Sequence, residues 1–419
     1  MSAAPKPKHV IIVGGSLAGL MHALTLLTHC PSARVTILER SPTALLHNQG
    51  AGVVAGSDTQ AFFSRYVCPG HDFAVSSRRR QYLDRSGEVI KQSVEDREQR
   101  MTSWDTLYRF LRWRVDGMDI EDYVSGSDLE DLQARLSDHS HGNADYLYGC
   151  KVLSVEDMGP TEGVLVCWTN KSGEEAQATA DLVIAADGAN SSVRKTLLPS
   201  VERTYAGYVA VRGTVPEDEI SESATETFIE KFTFFHTEGT QILAYVIPGD
   251  HGTLEPGKRL VNWVWYRNYI DDSGELADLM TGKDGTRHRV TLPPDQMKNE
   301  AWVKQKQDAK DILPPQFAEL VDKTTHPFVQ AITDNMSPTN QCCGGRLYLV
   351  GDALAGFRPH TAASTNQAAF DASTLGEWLK GKIDGKAYND RIMHHAIDGQ
   401  RHGVELGERS QFGRHPFAS

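Results

Sequence analysis

Three short turns rich in glycine and aspartate hold the residues with the clearest chemical use, and each closes an apolar run. The first is Gly14-Gly15-Ser16-Leu17-Ala18-Gly19, which follows the β-branched run 9–13 and precedes a helix-forming stretch over 20–28. A buried strand, a tight glycine turn and a helix start together aim backbone N–H groups and a positive dipole end at a phosphate. Gly14 suits the turn and Gly19 suits close packing of helix on strand. Ser16 stands where the dinucleotide fingerprint has its middle glycine, and Leu17 and Ala18 open the helix. A second strand over 35–38 ends at Glu39 and Arg40, where a carboxylate accepts hydrogen bonds from a ribose diol. The same carboxylate repels a 2′-phosphate, so an unphosphorylated adenosine is expected.

The second turn is Asp187-Gly188, after the apolar run 182–186, and the third is Gly351-Asp352, after 347–350. Each sets a carboxylate at the carboxyl end of a buried strand, where open α/β sheets bind ligands. One such strand end reads as an ordinary turn. Three in this order along the chain form a signature.

With that signature the chain resembles the flavoprotein aromatic hydroxylases, the group that includes para-hydroxybenzoate hydroxylase. The resemblance covers nearly the whole chain and implies bound FAD. It assigns the N-terminal fingerprint with Glu39 and Arg40 to the adenosine and pyrophosphate, and Asp352 to the ribityl chain. Asp187 and Gly188 serve the pyrophosphate region and, indirectly, NAD(P)H. Gly50-Ala51-Gly52 matches the loop beside the isoalloxazine, and a helix opening at Thr365 and Asn366 would stabilise negative charge on the flavin.

Two departures accompany the likeness. Trp104 stands where the family commonly has an arginine ahead of Leu107 and Leu111, with Arg109 as the expected substitute. After the Gly-Asp turn the family's Pro-x-x-Gly-x-Gly is here Pro359-His360-Thr361-Ala362-Ala363-Ser364, with Ala and Ser in place of its glycines. Within the family the likeness narrows to the dihydroxypyridine hydroxylase branch, through Ser103-Trp104, 262–268, 292–294 and Arg358-Pro359-His360.

The activity implied is hydroxylation of a small aromatic substrate, a hydroxypyridine or phenol. NAD(P)H would reduce the flavin and dioxygen would form a C4a-hydroperoxide that delivers its terminal oxygen to the ring. A reductase or dehydrogenase that binds FAD without oxygen insertion is the alternative, and a non-catalytic flavin protein the third reading. Ring attack needs a base or a hydrogen-bond relay. His360 has the pKa range for it, or else caps a loop. Arg212 would orient a carboxylate or phenolate. Tyr208 joins these as a catalytic candidate, with core packing as its plainer reading and that of Tyr205.

With these residues the resemblance implies an α/β fold: a Rossmann-like FAD-binding domain interleaved with a β-sheet substrate domain, followed by C-terminal helices. The expected boundaries are 1–75, 100–200 and 335–380 for the FAD domain, 76–99 and 201–334 for the substrate domain, and 381–419 for a helical tail. Period-two alternation marks substrate-sheet strands over 208–214, 231–236, 241–247 and 260–267. Trp263 and Trp265 share one face of the last, as a pocket wall or as packing beneath helices.

The 419 residues suit two packed domains. A formal net charge of −12 argues against nucleic acid or an anionic membrane as partner. Arg78, Arg79 and Arg80 form either an entrance for an anionic substrate or a solvated patch. No apolar run reaches the roughly 18 residues that span a bilayer. The six cysteines lack CxxC or metal-ligand spacing, as in a cytoplasmic protein with reduced thiols and no metal. Relatives suggest a homodimer.

Overall fold

The computed structural model describes residues 6–46, 52–124, 130 and 144–413. One sheet has six strands in the spatial order Gln341–Cys342, Leu347–Leu349, Leu182–Ala185, His9–Val13, Arg34–Glu39 and Asp145–Tyr148. All neighbours run parallel except the edge strand Gln341–Cys342. Parallel strands covered on both faces need continuous apolar runs, and Val10, Ile11, Ile12, Val183 and Ile184 are fully buried. The helices Leu17–His29, Trp104–Asp116 and Ser364–Leu379 share a core with this sheet and with the meander Lys151–Asp157, Val164–Thr169 and Glu175–Ala180.

The second sheet has nine strands: Thr291–Leu292, Phe328–Asp334, Thr204–Pro216, Leu260–Asn268, Thr240–Ile247, Lys231–Thr237, Val75–Leu83, Val89–Ser103 and Gly52–Val54. Its neighbours are antiparallel apart from Lys231–Thr237 against Val75–Leu83. The strand Gly52–Val54 pairs with Val89–Ser103 and closes the second sheet's edge. Trp263 and Trp265 are both fully buried in this sheet's core, and Trp263 Nε1 donates to Thr324 Oγ1 at 2.9 Å. Their shared face packs beneath helices, which decides between the two expectations for the pair: the opposite face of the strand carries Val264 and Tyr266 to the cavity.

The helix Gly385–Phe412 starts at Asp384, whose side chain accepts from the Ala387 N–H. Tyr388, Ile392 and Ala396 belong to the first sheet's core. At its other end the Gln411 carbonyl accepts from Asn268 Nδ2 at 2.8 Å, on the second sheet. The stretch expected as a helical tail therefore joins both sheets.

Candidate active site

The dinucleotide turn is built for close approach. Gly14 has φ of +103°, and a Cβ there would meet the Ala186 carbonyl oxygen at 2.4 Å. A Cβ on Gly19 would stand 1.9 Å from the Gly14 oxygen, so the helix Leu17–His29 packs on the turn only because both positions are glycine. Ser16 is the N-cap but its side chain makes no capping bond. The first-turn N–H groups, those of Leu17 and Ala18 among them, thus stay available to an anion. Glu39 is buried, and its carboxylate accepts from the Gly15 and Ser41 N–H groups, both at 2.8 Å. Arg40 lies exposed just beyond.

The two aspartate turns differ. Asp187 accepts from the N–H groups of Ser192 at 2.7 Å and Val193 at 3.3 Å, while its Oδ1 is buried without a hydrogen-bond partner. It shapes the turn in which Gly188 adopts φ of +75°. Asp352 lines a cavity, and among the described residues no hydrogen bond to its carboxylate is formed. Burial raises its pKa to about 6, against the opposing pull of Arg203 and Arg194. A carboxylate aimed into a cavity without a protein donor is the observation that fits a ribityl chain, whose hydroxyls are donors.

The cavity has a volume of about 560 Å³. Gly52 sits at its edge, and its N–H donates to Asn262 Oδ1 at 3.0 Å; a Cβ at this position would meet the Asn262 amide at 2.6 Å. Gly50, its expected companion, lies outside the described residues. Across the cavity the helix Ser364–Leu379 begins with no side-chain cap, with Thr365 and Asn366 in its first turn. Its free N–H groups and dipole suit the electron-rich edge of a reduced flavin. The Asn366 side chain is otherwise engaged: Oδ1 accepts from the N–H groups of Asp58 at 2.8 Å and Thr59 at 3.2 Å. Ala362 holds φ of +50°, the left-handed conformation that a glycine adopts without strain.

The rest of the cavity is the inward face of the nine-stranded sheet, read off at every second residue. Phe232 and Phe234, Leu243 and Tyr245, Val264 and Tyr266, and Arg80 and Tyr82 all line it. Arg212 lines it too, and among the described residues its guanidinium has no acidic partner; Nε is buried and unbonded. A partly desolvated cation in an aromatic cavity costs several kcal/mol unless an anion joins it. Burial raises the Tyr245 hydroxyl to about 12 and raises that of Tyr266 as well, with Arg212 opposing both.

His360 lies over Tyr266 with ring centroids 4.0 Å apart. Its Nε2 is 3.1 Å from the Tyr208 hydroxyl and its Nδ1 is 3.0 Å from Gln241 Oε1. Tyr208 is fully buried, and burial raises its pKa although Arg358 pulls the other way. Both readings of Tyr208 meet here, since it packs in the core and still bonds a cavity residue. Arg109 lines no described cavity; its guanidinium stands 5.5 Å over the Tyr123 ring.

A second cavity of about 1100 Å³ is lined by Arg40, Arg194, Lys195, Arg203, Arg287 and Arg289, with Asn190 among them. Its acidic lining is Glu202, Asp271 and Asp272. Gln241, Ser410, Leu406 and, apart from Arg40 and Arg194, this arginine group had no motif to mark them. Only the alternation over 231–247 pointed toward Gln241.

A family model described as FAD binding domain-like matches residues 205–334. The chain is 29% identical over 382 residues to 2,6-dihydroxypyridine 3-monooxygenase of Paenarthrobacter nicotinovorans, covering 89% of this chain and 83% of the relative. It is 27% identical to 6-methylsalicylate 1-monooxygenase of Aspergillus terreus, covering 87% of this chain and 73% of that one. The solved structure of 2,6-dihydroxypyridine-3-hydroxylase from Arthrobacter nicotinovorans matches with a TM-score of 0.80 at 25% identity, covering 99% of this chain and 96% of that chain. The unpartnered Asp352, the uncapped helix starts and these relatives agree: in sequence and in fold the chain is similar to the FAD-dependent aromatic hydroxylases.

Proposed function

We propose that this protein hydroxylates a small ring that binds as an anion, a hydroxypyridine or a phenol, at the cavity between Asp352 and the nine-stranded sheet. The observation that carries the reading is Arg212, a guanidinium without an acidic partner among the described residues, facing an aromatic cavity also lined by His360, whose Nε2 lies 3.1 Å from the Tyr208 hydroxyl behind it. Bound FAD supplies the redox chemistry, taking hydride from NAD(P)H and activating dioxygen.

The chain's residues do the remainder. Phe232, Phe234 and Tyr266 form an aromatic wall for the ring and exclude water. Arg212 orients its negative end by charge-assisted hydrogen bonding. His360 and Tyr208 take up the proton released when the ring hydroxyl ionises, which makes the ring carbon electron-rich. Gly14 to Gly19 and Glu39 would hold the cofactor's adenosine and pyrophosphate, and Asp352 its ribityl chain. The arginine-lined second cavity is the docking place for the NAD(P)H pyrophosphate, for six cations there face three carboxylates.

The test is oxidation of NAD(P)H by the FAD-loaded protein with a panel of hydroxypyridines, phenols and hydroxybenzoates under ¹⁸O-labelled dioxygen. The expected result is ring-stimulated oxidation with one labelled oxygen in the product. Stoichiometric hydrogen peroxide and no hydroxylated product with every ring would overturn the reading.

A further inference from the structure

Resting on the reading of the cavity as a hydroxylation site, we propose that Gln241 and Ser410 are positioning residues that hold His360 as the tautomer protonated on Nδ1. Gln241 Oε1 lies 3.0 Å from His360 Nδ1 and also accepts the Ser410 hydroxyl. Ser410 Oγ itself accepts from Gln411 Nε2 at 3.0 Å, so its proton is the one directed at Gln241. Two donors converge on one amide oxygen, which has no proton to give. Nδ1 must therefore carry the hydrogen, and a neutral imidazole then has a bare Nε2.

That bare nitrogen is the one 3.1 Å from the Tyr208 hydroxyl. Behind Tyr208 stands Arg358, its charge centre 5.6 Å from the ring centroid, tied to Asp334 at 2.8 and 2.6 Å and to Glu408 at 3.0 Å. Glu408 and Ser410 both belong to the helix Gly385–Phe412. This one helix thus fixes the cation behind the phenol and the tautomer in front of it.

The proton step balances simply. The Tyr208 O–H bond breaks as its proton forms an N–H bond at Nε2, and the O–H bond of the bound ring breaks as its proton restores the Tyr208 hydroxyl. The ring is left an anion and the imidazole a cation, its new N–H donating to the Tyr208 oxygen. Without Ser410 the Gln241 amide is free to turn its NH₂ toward His360. The other tautomer is then favoured, with Nε2 already protonated and no base left.

The experiment is ¹⁵N NMR of histidine-labelled, FAD-loaded protein, with His360→Gln identifying the resonance, combined with hydroxylation kinetics. The wild type is expected to show Nδ1–H. Ser410→Ala is expected to shift His360 toward Nε2–H and to lower kcat for hydroxylation by about tenfold to a hundredfold. The rate of flavin reduction by NAD(P)H stays at the wild-type value. Gln241→Glu keeps the Nδ1–H tautomer and moves the acid limb of the kcat profile to higher pH, because a carboxylate favours the imidazolium; Gln241→Leu does neither.

A wild-type protein with Nε2–H overturns the assignment, as does a Ser410→Ala protein whose tautomer and kcat match the wild type. Where Ser410→Ala fails to fold, the tautomers of the wild type and of Gln241→Glu decide. Wild-type hydroxylation by His360→Gln alongside an Nδ1–H signal supports the tautomer and overturns the proton-acceptor role, so the two failures are distinct.

Discussion

The backbone N–H of Gly351 donates to the Asp371 carboxylate at 2.8 Å, in a place where Asp371 is 1% exposed. Asp371 lies in the helix that starts beside the cavity, and through Gly351 it holds the turn that presents Asp352. Burial raises its pKa from 3.8 to about 7, with the Gly351 bond opposing. Between these values the folded protein keeps a proton that the unfolded chain has released. Stability from this group is full below about pH 4 and is lost as pH rises through about 7. Asp371→Asn retains an acceptor for Gly351 and carries no charge. Its unfolding free energy, measured by chemical denaturation with saturating FAD, should match the wild type below about pH 4 within error and exceed it near pH 8 by on the order of 4 kcal/mol, about 1.4 kcal/mol for each unit of the shift. A difference independent of pH refutes the account.

Glu39 offers a second test, of the cofactor's adenosine end. Its carboxylate is buried and already organised by two N–H donors. Hydrogen bonds to a charged group contribute about 1.5–3 kcal/mol. Glu39→Ala is therefore expected to weaken FAD binding by roughly ten- to a hundredfold, read from quenching of FAD fluorescence as apoprotein is titrated in. Unchanged affinity removes Glu39 from the site.

Arg212 is expected to govern the ring rather than the cofactor. Arg212→Ala should raise the apparent Kd for anionic rings by roughly tenfold or more, seen in the flavin difference spectrum, while FAD affinity is retained. Arg212→Lys should recover only part of the loss, since an ammonium lacks the planar fork. Equal weakening of neutral and anionic rings would show that charge is not what Arg212 supplies.

The second cavity makes a prediction about salt. If its arginines receive the NAD(P)H pyrophosphate, the KM for NAD(P)H rises with ionic strength, as exposed charges are screened over about 10 Å at 0.1 M. Arg289→Glu should raise that KM at low salt and flatten the dependence, leaving ring binding alone. A salt-independent KM in the wild type places NAD(P)H elsewhere.

Much of this was legible in the sequence where backbone geometry demands a residue type. Gly14 and Gly19 are forced by contacts to carbonyl oxygens, and such constraints leave a readable spacing. Alternation revealed the substrate strands but not which face met the cavity, because the helices Glu222–Phe228, Asn299–Ile312 and Pro315–Lys323 claim the tryptophan side. Asp371 looks like a solvated helix residue until the turn at Gly351 is folded against it. Ser410 and Gln241 meet across 169 positions, and no local pattern encodes a contact of that range.

The strand order of the six-stranded sheet carries a consequence for modular exchange. The backbone N–H of His9 bonds the Asp181 side chain across 172 positions, and His9–Val13 pairs on one side with Leu182–Ala185. In the chain, three strands of the second sheet fall between those two partners and the other six between Leu182–Ala185 and Leu347–Leu349. Neither sheet is a contiguous cassette, so no single crossover between two such genes can transfer the ring-binding surface intact. New ring preferences must come by substitution in place, at alternate residues of strands whose reverse faces are already committed to packing.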